Sequence, residues 1–130
     1  MISVLLADDH QFVRKAISEL LKDDANVRLV AEAGSFRETI DLTVEFCPDV
    51  VVMDIHMSDE KKVKPSDLKL SLVDCYLLAM SLWTDEETKV LAKSFGAVTL
   101  LDKTKLATEL LPSLRQYAQM RNTLREKAPS

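Results

Sequence analysis

Glycine is nearly missing from this chain: its 130 residues contain two, Gly34 and Gly96. A Gly-rich loop that lets backbone amides close around a phosphate is therefore excluded, and with it the nucleotide fingerprints built on such loops. Cysteine is as scarce, with Cys47 and Cys75 alone. Neither has a neighbour at metal-ligand spacing and both stand in apolar context, so they read as reduced core thiols of a cytoplasmic protein. Basic residues are outnumbered, 17 Lys and Arg against 21 Asp and Glu, for a formal charge of −4 and a pI near 5.2. That balance supplies no footprint for gripping nucleic acid, and direct nucleic acid binding by this segment is not expected. Long apolar runs are missing too: none approaches the ~20 residues of a membrane span, and Met1 leads into an apolar segment without a basic preamble. Membrane insertion and secretion are disfavoured, and the expected location is cytoplasmic.

What is present is a full-sized core, 47% hydrophobic residues in a length that suits one domain. The stretch Val50-Val51-Val52-Met53-Asp54 organises the rest: a β-branched run long enough for one strand buried on both faces, ending abruptly in a carboxylate. Ile2 to Ala7 repeats the pattern and ends in Asp8-Asp9. Val13, Ala16, Ile17, Leu20 and Leu21 then fall on one helical stripe. Val27 to Ala33 alternates like a more exposed edge strand, and Gly34-Ser35 caps a helix expected to carry Phe36, Ile40 and Val44 inward until Cys47-Pro48 closes it.

The segment from His56 to Asp74 is the least regular, opening on the polar run SDEKKVK. Leu68 and Leu72 could share one face of a short helix capped by Ser66, yet Leu68, Leu70 and Leu72 also alternate, so periodicity does not decide; a short helix is preferred. Cys75 to Ser81 reads as a fourth strand. Thr84 to Glu87 has capping-box spacing before a helix with Val90, Leu91 and Phe95 as its expected buried stripe, ended by Gly96. Ala97 to Leu101 is a fifth strand running into Asp102-Lys103. The last helix carries Leu106, Leu110, Leu111, Leu114, Tyr117 and Ala118; Pro112 must kink it or mark a restart, and fraying is expected past Met120.

Strand and helix alternating five times give a doubly wound α/β fold with a parallel sheet. In such sheets the carboxyl ends of the strands form the binding rim. That rim collects Asp8, Asp9, Asp54, Ser81 and Lys103. Three converging carboxylates repel unless a hard divalent cation such as Mg²⁺ joins them. With Lys103 as a mobile positive charge and Ser81 as a hydroxyl donor, the rim has what a transferring phosphoryl group needs, and Asp54 is the expected nucleophile, forming an aspartyl phosphate. Taken singly, each residue has a plainer reading: a turn acid, a core hydroxyl, a surface lysine. His10 and His56 lack a second ligand at metal spacing and are assigned to solvent or packing, Trp83 and Phe95 to core or interface.

The set resembles the receiver domain of two-component response regulators, on Val4-Leu5-Leu6-Ala7-Asp8-Asp9-His10, Asp54, Ser81 and Leu101-Asp102-Lys103-Thr104. The resemblance implies a five-stranded sheet of order 2-1-3-4-5 with helices on both faces. It implies that Asp54 accepts phosphate from the histidine of a sensor kinase or phosphotransfer protein. Asp9 and Asp54 would bind Mg²⁺ with the His56 backbone carbonyl, Asp8 would help through water, Ser81 would hydrogen-bond the phosphoryl group and Lys103 would pair with it. The output would be an interaction, through the face of the fourth helix, fifth strand and fifth helix, with a homodimer as one form, rather than a product of catalysis. The opening Asp-Asp-His and the Asp-Lys-Thr ending resemble the branch that carries a helix-turn-helix DNA-binding domain behind the receiver. The chain stops short of one, and is expected to comprise a receiver over residues 1–122 and a polar tail over 123–130, a stand-alone receiver or a fragment.

Four departures from the family pattern carry expectations of their own. Ser58 stands where Pro is usual and no Gly follows before Gly96, so the loop and third helix are expected to differ. Leu82 replaces a small residue and is expected to crowd the phosphoryl approach, slowing phosphorylation. Leu100 replaces the switch aromatic. Thr104 follows the lysine where Pro is commoner, so that peptide is expected to be trans. Two other readings stay open beside the leading one: a degenerate receiver that binds partners without phosphorylation, and a small Mg²⁺-dependent phosphatase using His56 as general acid.

Overall fold

The apolar runs determine the order of the layers. In a computed structural model, which describes residues 1–127, the elements are β1 (Ile2–Ala7), α1 (Gln11–Leu21), β2 (Val27–Ala33), α2 (Phe36–Phe46), β3 (Val50–Asp54), α3 (Pro65–Ser71), β4 (Tyr76–Ser81), α4 (Glu86–Ser94), β5 (Thr99–Asp102) and α5 (Leu106–Lys127), with a 3₁₀ turn over Lys103–Lys105. All strand pairs are parallel and the sheet order is β2-β1-β3-β4-β5, as the resemblance implies, with the fully buried β3 at the centre.

Because side chains alternate along a strand, each buried strand feeds two cores. Val4 and Leu6, Val50 and Val52, and Leu78 and Met80 join Ile17, Leu21, Leu110 and Leu114 under α1 and α5. Leu5 and Ala7, Val51 and Met53, and Leu77 and Ala79 join Phe36, Leu68, Ala92 and Phe95 under α2, α3 and α4. At the sheet's opposite edge from the rim, Asp49 accepts from the Ser3 amide at 2.9 Å and from Arg121 Nη1 at 3.2 Å, tying α5 to the start of β1. Tyr117 packs edge-on against Tyr76, their centroids 4.9 Å apart.

Several local expectations are corrected. Val44 is 73% exposed and Thr39 and Thr43 turn inward instead, because Thr43 lies closer than Val44 to the centre of the stripe begun by Phe36. Val90 is 66% exposed for the same reason: the buried line of α4 is Thr88, Leu91, Ala92 and Phe95. The capping box over Thr84–Glu87 does not form; Asp85 is the N-cap, and its carboxylate takes the Thr88 hydroxyl rather than a backbone amide. In α3 the cap is Lys64, with Pro65 at the first helical position where its missing N–H costs nothing, so Ser66 lies inside the helix. Helix it is, with Leu68 and Leu72 buried and Leu70 turned out. Cys47 is exposed rather than core, since a left-handed turn at φ 45° carries it outward before the buried Pro48. Cys75 is half-buried just ahead of β4.

The last helix neither restarts at Pro112 nor frays after Met120. It runs unbroken to Lys127, across the boundary expected at residue 122, held by Leu110, Leu114 and Tyr117 on one side. Of the expected tail, residues 128–130 lie outside the described residues. Pro112 is solvent-exposed and removes one amide from the helix interior. Replacing it with Ala restores that hydrogen bond and a better helix former, so Pro112→Ala is expected to raise unfolding stability by about 1 kcal/mol or more. Urea denaturation of the two proteins checks this; an unchanged or lowered midpoint would mean that the proline costs the helix nothing at this position.

Candidate functional site

Strand register assembles the rim. Ala7 is paired with Met53, so the next residues along, Asp8 and Asp54, are neighbours. Ser81 is paired with Asp102, which puts Lys103 at the same edge. Asp8 and Asp54 are buried, Ser81 is buried at the end of β4, and Asp9 is half-buried.

Lys103 bridges the two buried acids: its Nζ lies 2.5 Å from Asp8 Oδ2 and 2.8 Å from Asp54 Oδ2. The second oxygen of Asp54, Oδ1, accepts the His56 amide at 2.8 Å. Burial pushes the Asp54 carboxyl above its ordinary value, with the Asp8 charge adding to the effect; the Lys103 hydrogen bond and charge and the His56 amide oppose it without overcoming it. For Lys103 burial works downward, but its contacts to Asp54 and Asp8 prevail and raise its pKa. The asymmetry has a simple origin: the ammonium has two carboxylates, whereas Asp54 shares one ammonium with Asp8.

Among the described residues Ser81 makes no hydrogen bond to the acids. Its Oγ accepts the Trp83 amide at 3.0 Å, and among the described residues the hydroxyl donates to nothing, leaving its proton uncommitted. Leu82, which follows Ser81, is 59% exposed. Leu100 packs at the border of the second core, and the Lys103–Thr104 peptide is trans, with Asp102 accepting both the Thr104 amide and its hydroxyl.

Asp8, Asp9, His10 and Asp54 form a group whose ligand atoms lie within 4.8 Å of one another. Asp8 Oδ2 meets the Lys103 ammonium and Asp9 Oδ1 meets the exposed His10 ring, so three clustered carboxylates share one buried ammonium among the described residues. An oxygen-rich cluster with more carboxylates than buried cations fits a hard divalent cation. His10 is the member that spacing missed: its amide donates to Asp8 Oδ1 at 2.8 Å, and this tight turn swings the ring so that Nδ1 lies 2.9 Å from Asp9 Oδ1. Arg14 was missed as well; its Nη1 donates to the Asp8 backbone carbonyl at 2.5 Å. The cue was there, a basic residue one turn into the helix that follows the acids. His56 turns the other way, with Nδ1 3.5 Å from Glu60 and its ring edge-on to Trp83, centroids 5.5 Å apart.

The raised Asp54 value has a definite sign. In the metal-free protein the ionised carboxylate is worse off folded than unfolded, and this burden is lifted as pH falls through the folded pKa toward the ordinary 3.8. Without metal, Asp54→Asn should therefore be as stable as wild type or more so at pH 7, with the difference shrinking on acidification toward pH ~4. Urea midpoints measured in chelator across that range check it; an Asn variant clearly less stable at neutral pH would show that the Lys103 pair outweighs burial.

Residues 4–115 match the family described as response regulator receiver domain. Over 128 residues the chain is 28% identical to the transcriptional regulatory protein LiaR of Bacillus subtilis, covering 98% of this chain and 61% of LiaR. Over 129 residues it is 30% identical to the DNA-binding transcriptional activator DevR/DosR of Mycobacterium tuberculosis, covering 98% of this chain and 59% of that protein. The chain thus spans about three-fifths of the length of these curated relatives. Its fold is similar to that of the response regulator domain of Thermotoga maritima CheB, with a TM-score of 0.78 and 26% identity over 90% of this chain and 96% of that one. A family match over most of the length, on a sheet of order β2-β1-β3-β4-β5 with acids at its carboxyl rim, establishes that the chain belongs to the response regulator receiver domain family.

Proposed function

We propose that this receiver is a Mg²⁺-dependent phosphoacceptor switch rather than an enzyme acting on a separate substrate, with Asp54 as the acceptor. The observation that carries the reading is the state of Asp54: a buried carboxylate at the rim, held at one oxygen by the His56 amide and at the other by a lysine it shares with Asp8. The donor is the phosphohistidine of a sensor kinase or phosphotransfer protein. An Asp54 oxygen attacks phosphorus, the P–N bond breaks and the imidazole leaves. Lys103 exchanges its Asp54 contact for a phosphoryl oxygen, and the uncommitted Ser81 proton is donated to another. Asp8, Asp9 and Asp54, with the His56 backbone carbonyl, would hold Mg²⁺, which when bound supplies charge neutralisation for the transferring group.

The site lies in a receiver domain that takes in the whole of α5, working in the cytoplasm; among the described residues no helix is long and apolar enough to cross a membrane. By analogy with the regulators LiaR and DevR/DosR, the switched surface, formed by α4, β5 and α5, would act on transcription through a DNA-binding domain, with homodimerisation as one route. A phosphatase reading gains no support: His56, which it needs as general acid, faces Glu60 and Trp83.

Incubation with acetyl phosphate and Mg²⁺ should add one acid-labile phosphoryl group to wild type and none to Asp54→Asn, read by intact mass. Modification that persists in the Asn variant, or none in wild type under forcing conditions, would overturn the nucleophile.

Trp83 supplies a further outcome. Its amide donates to Ser81 Oγ and its ring, 59% exposed, is edge-on to His56; by resemblance to the family these two positions flank the route of the attacking water. Trp83→Ala is expected to shorten the lifetime of the phosphorylated state severalfold. Equal or slower hydrolysis would place the indole outside the water route.

A further inference from the structure

The first turn of α2 is capped from two directions. From its own side, Ser35 Oγ accepts the Glu38 amide at 3.1 Å and Glu38 Oε1 reaches back to the Gly34 amide at 2.9 Å. The other two free amides of that turn are taken from far along the chain. Asp59, in the segment after β3, accepts the Phe36 amide on Oδ1 at 2.9 Å and the Arg37 amide on Oδ2 at 3.0 Å. One carboxylate thereby satisfies two helix-end donors and meets the positive end of the helix dipole.

The residue before it, Ser58, donates its amide to Asp9 Oδ2 at 3.2 Å. Consecutive residues of one segment therefore join the acidic cluster to the N-terminal end of α2. Ile55 and Met57 bury the inner side of that segment, whereas Ser58 is exposed, so packing fixes where the segment enters and Asp59 fixes where it leaves. Phe36, the first residue of α2, is fully buried with its ring 5.6 Å from that of Phe95 at the end of α4.

We propose that Asp59 is a positioning residue for the cation site: by clamping the Phe36 and Arg37 amides it holds the Ser58 amide on Asp9 Oδ2, which orients that carboxylate and turns Oδ1 toward the acidic cluster, where the exposed His10 ring is the one partner a cation would replace. The inference rests on the reading of Asp8, Asp9 and Asp54 as a cation site. Asp9 has a single-bond hinge to its backbone and would otherwise sample rotamers that turn both oxygens to solvent. Linkage makes the effect reciprocal: if the clamp favours cation binding, cation binding tightens the clamp by the same factor.

Two measurements test this with Mg²⁺ as the probe. Calorimetric titration should show Asp59→Ala binding Mg²⁺ about fivefold or more weakly than wild type. Ser35→Ala, which removes a different cap of the same helix and leaves Ser58 alone, should destabilise α2 yet bind Mg²⁺ as wild type does. Hydrogen exchange on wild type needs no variant: Mg²⁺ should slow exchange of the Phe36 and Arg37 amides. Equal Mg²⁺ affinity in Asp59→Ala, an equal loss in Ser35→Ala, or exchange at Phe36 and Arg37 indifferent to Mg²⁺ would overturn the positioning role. Wild type that binds no Mg²⁺ at all would overturn the cation-site reading and this inference with it.

Discussion

Asp8 and Asp54 are both removed from water within one small volume, and Asp9 stands beside them, so the rim is organised by a shortage of positive charge. One ammonium, Lys103, supplies what the chain has to offer, divided between Asp8 and Asp54. The division is incomplete. Asp54 remains harder to ionise than in water, and Asp9 is met by an exposed imidazole instead of the lysine. A site in that condition responds strongly to any added cation and to any change in the charge on Asp54, because each alters which acid the lysine serves. The same argument explains the backbone donors around the cluster. The His56, His10 and Ser58 amides each approach a different acid, and dipoles that need no counter-ion of their own are an inexpensive way to stabilise buried negative charge.

How far this was legible beforehand depends on the range over which each feature is specified. Strands were readable because a strand buried on both faces has to be apolar throughout; β3 and β1 begin and end where the residue pattern places them. The rim acids, Ser81 and Lys103 followed from strand ends, and the register brings Asp8, Asp54, Ser81 and Lys103 to one edge. Helix faces were less readable. Val44 and Val90 were expected inside on hydrophobicity, yet threonines occupy the buried line at positions 39, 43 and 88, where angle around the helix decided and side-chain polarity did not. Thr39 meets its need locally by donating to the Ser35 carbonyl at 2.7 Å.

Least legible were the contacts made by the irregular segment after β3. A run such as SDEKKVK looks like solvated loop, and most of it is exposed. Nothing local distinguishes Asp59 from Glu60, although one caps a helix begun 23 residues earlier and the other meets a histidine. The absence of the usual Pro and Gly was read as a sign of an unusual loop, but only long-range pairing says what the loop does. His10 illustrates the complementary case, in which a contact too short in sequence to fit a ligand-spacing pattern is made by the backbone turning on itself.

The division of the interior into two separate side-chain clusters, one on each face of a sheet, bears on how such a domain can diversify. The clusters lie on opposite faces of the sheet, so a volume change under α1 and α5 is felt weakly under α2, α3 and α4. Substitutions on the two faces should accordingly combine almost independently. The rim lies on the seam and draws on both: Lys103 opens the approach to α5, while the Ser58 and Asp59 segment reaches α2. A lineage of such proteins can therefore remodel one helical face for a new partner while the opposite half and the acidic cluster stay as they were, and recognition can drift without the chemistry being rebuilt each time.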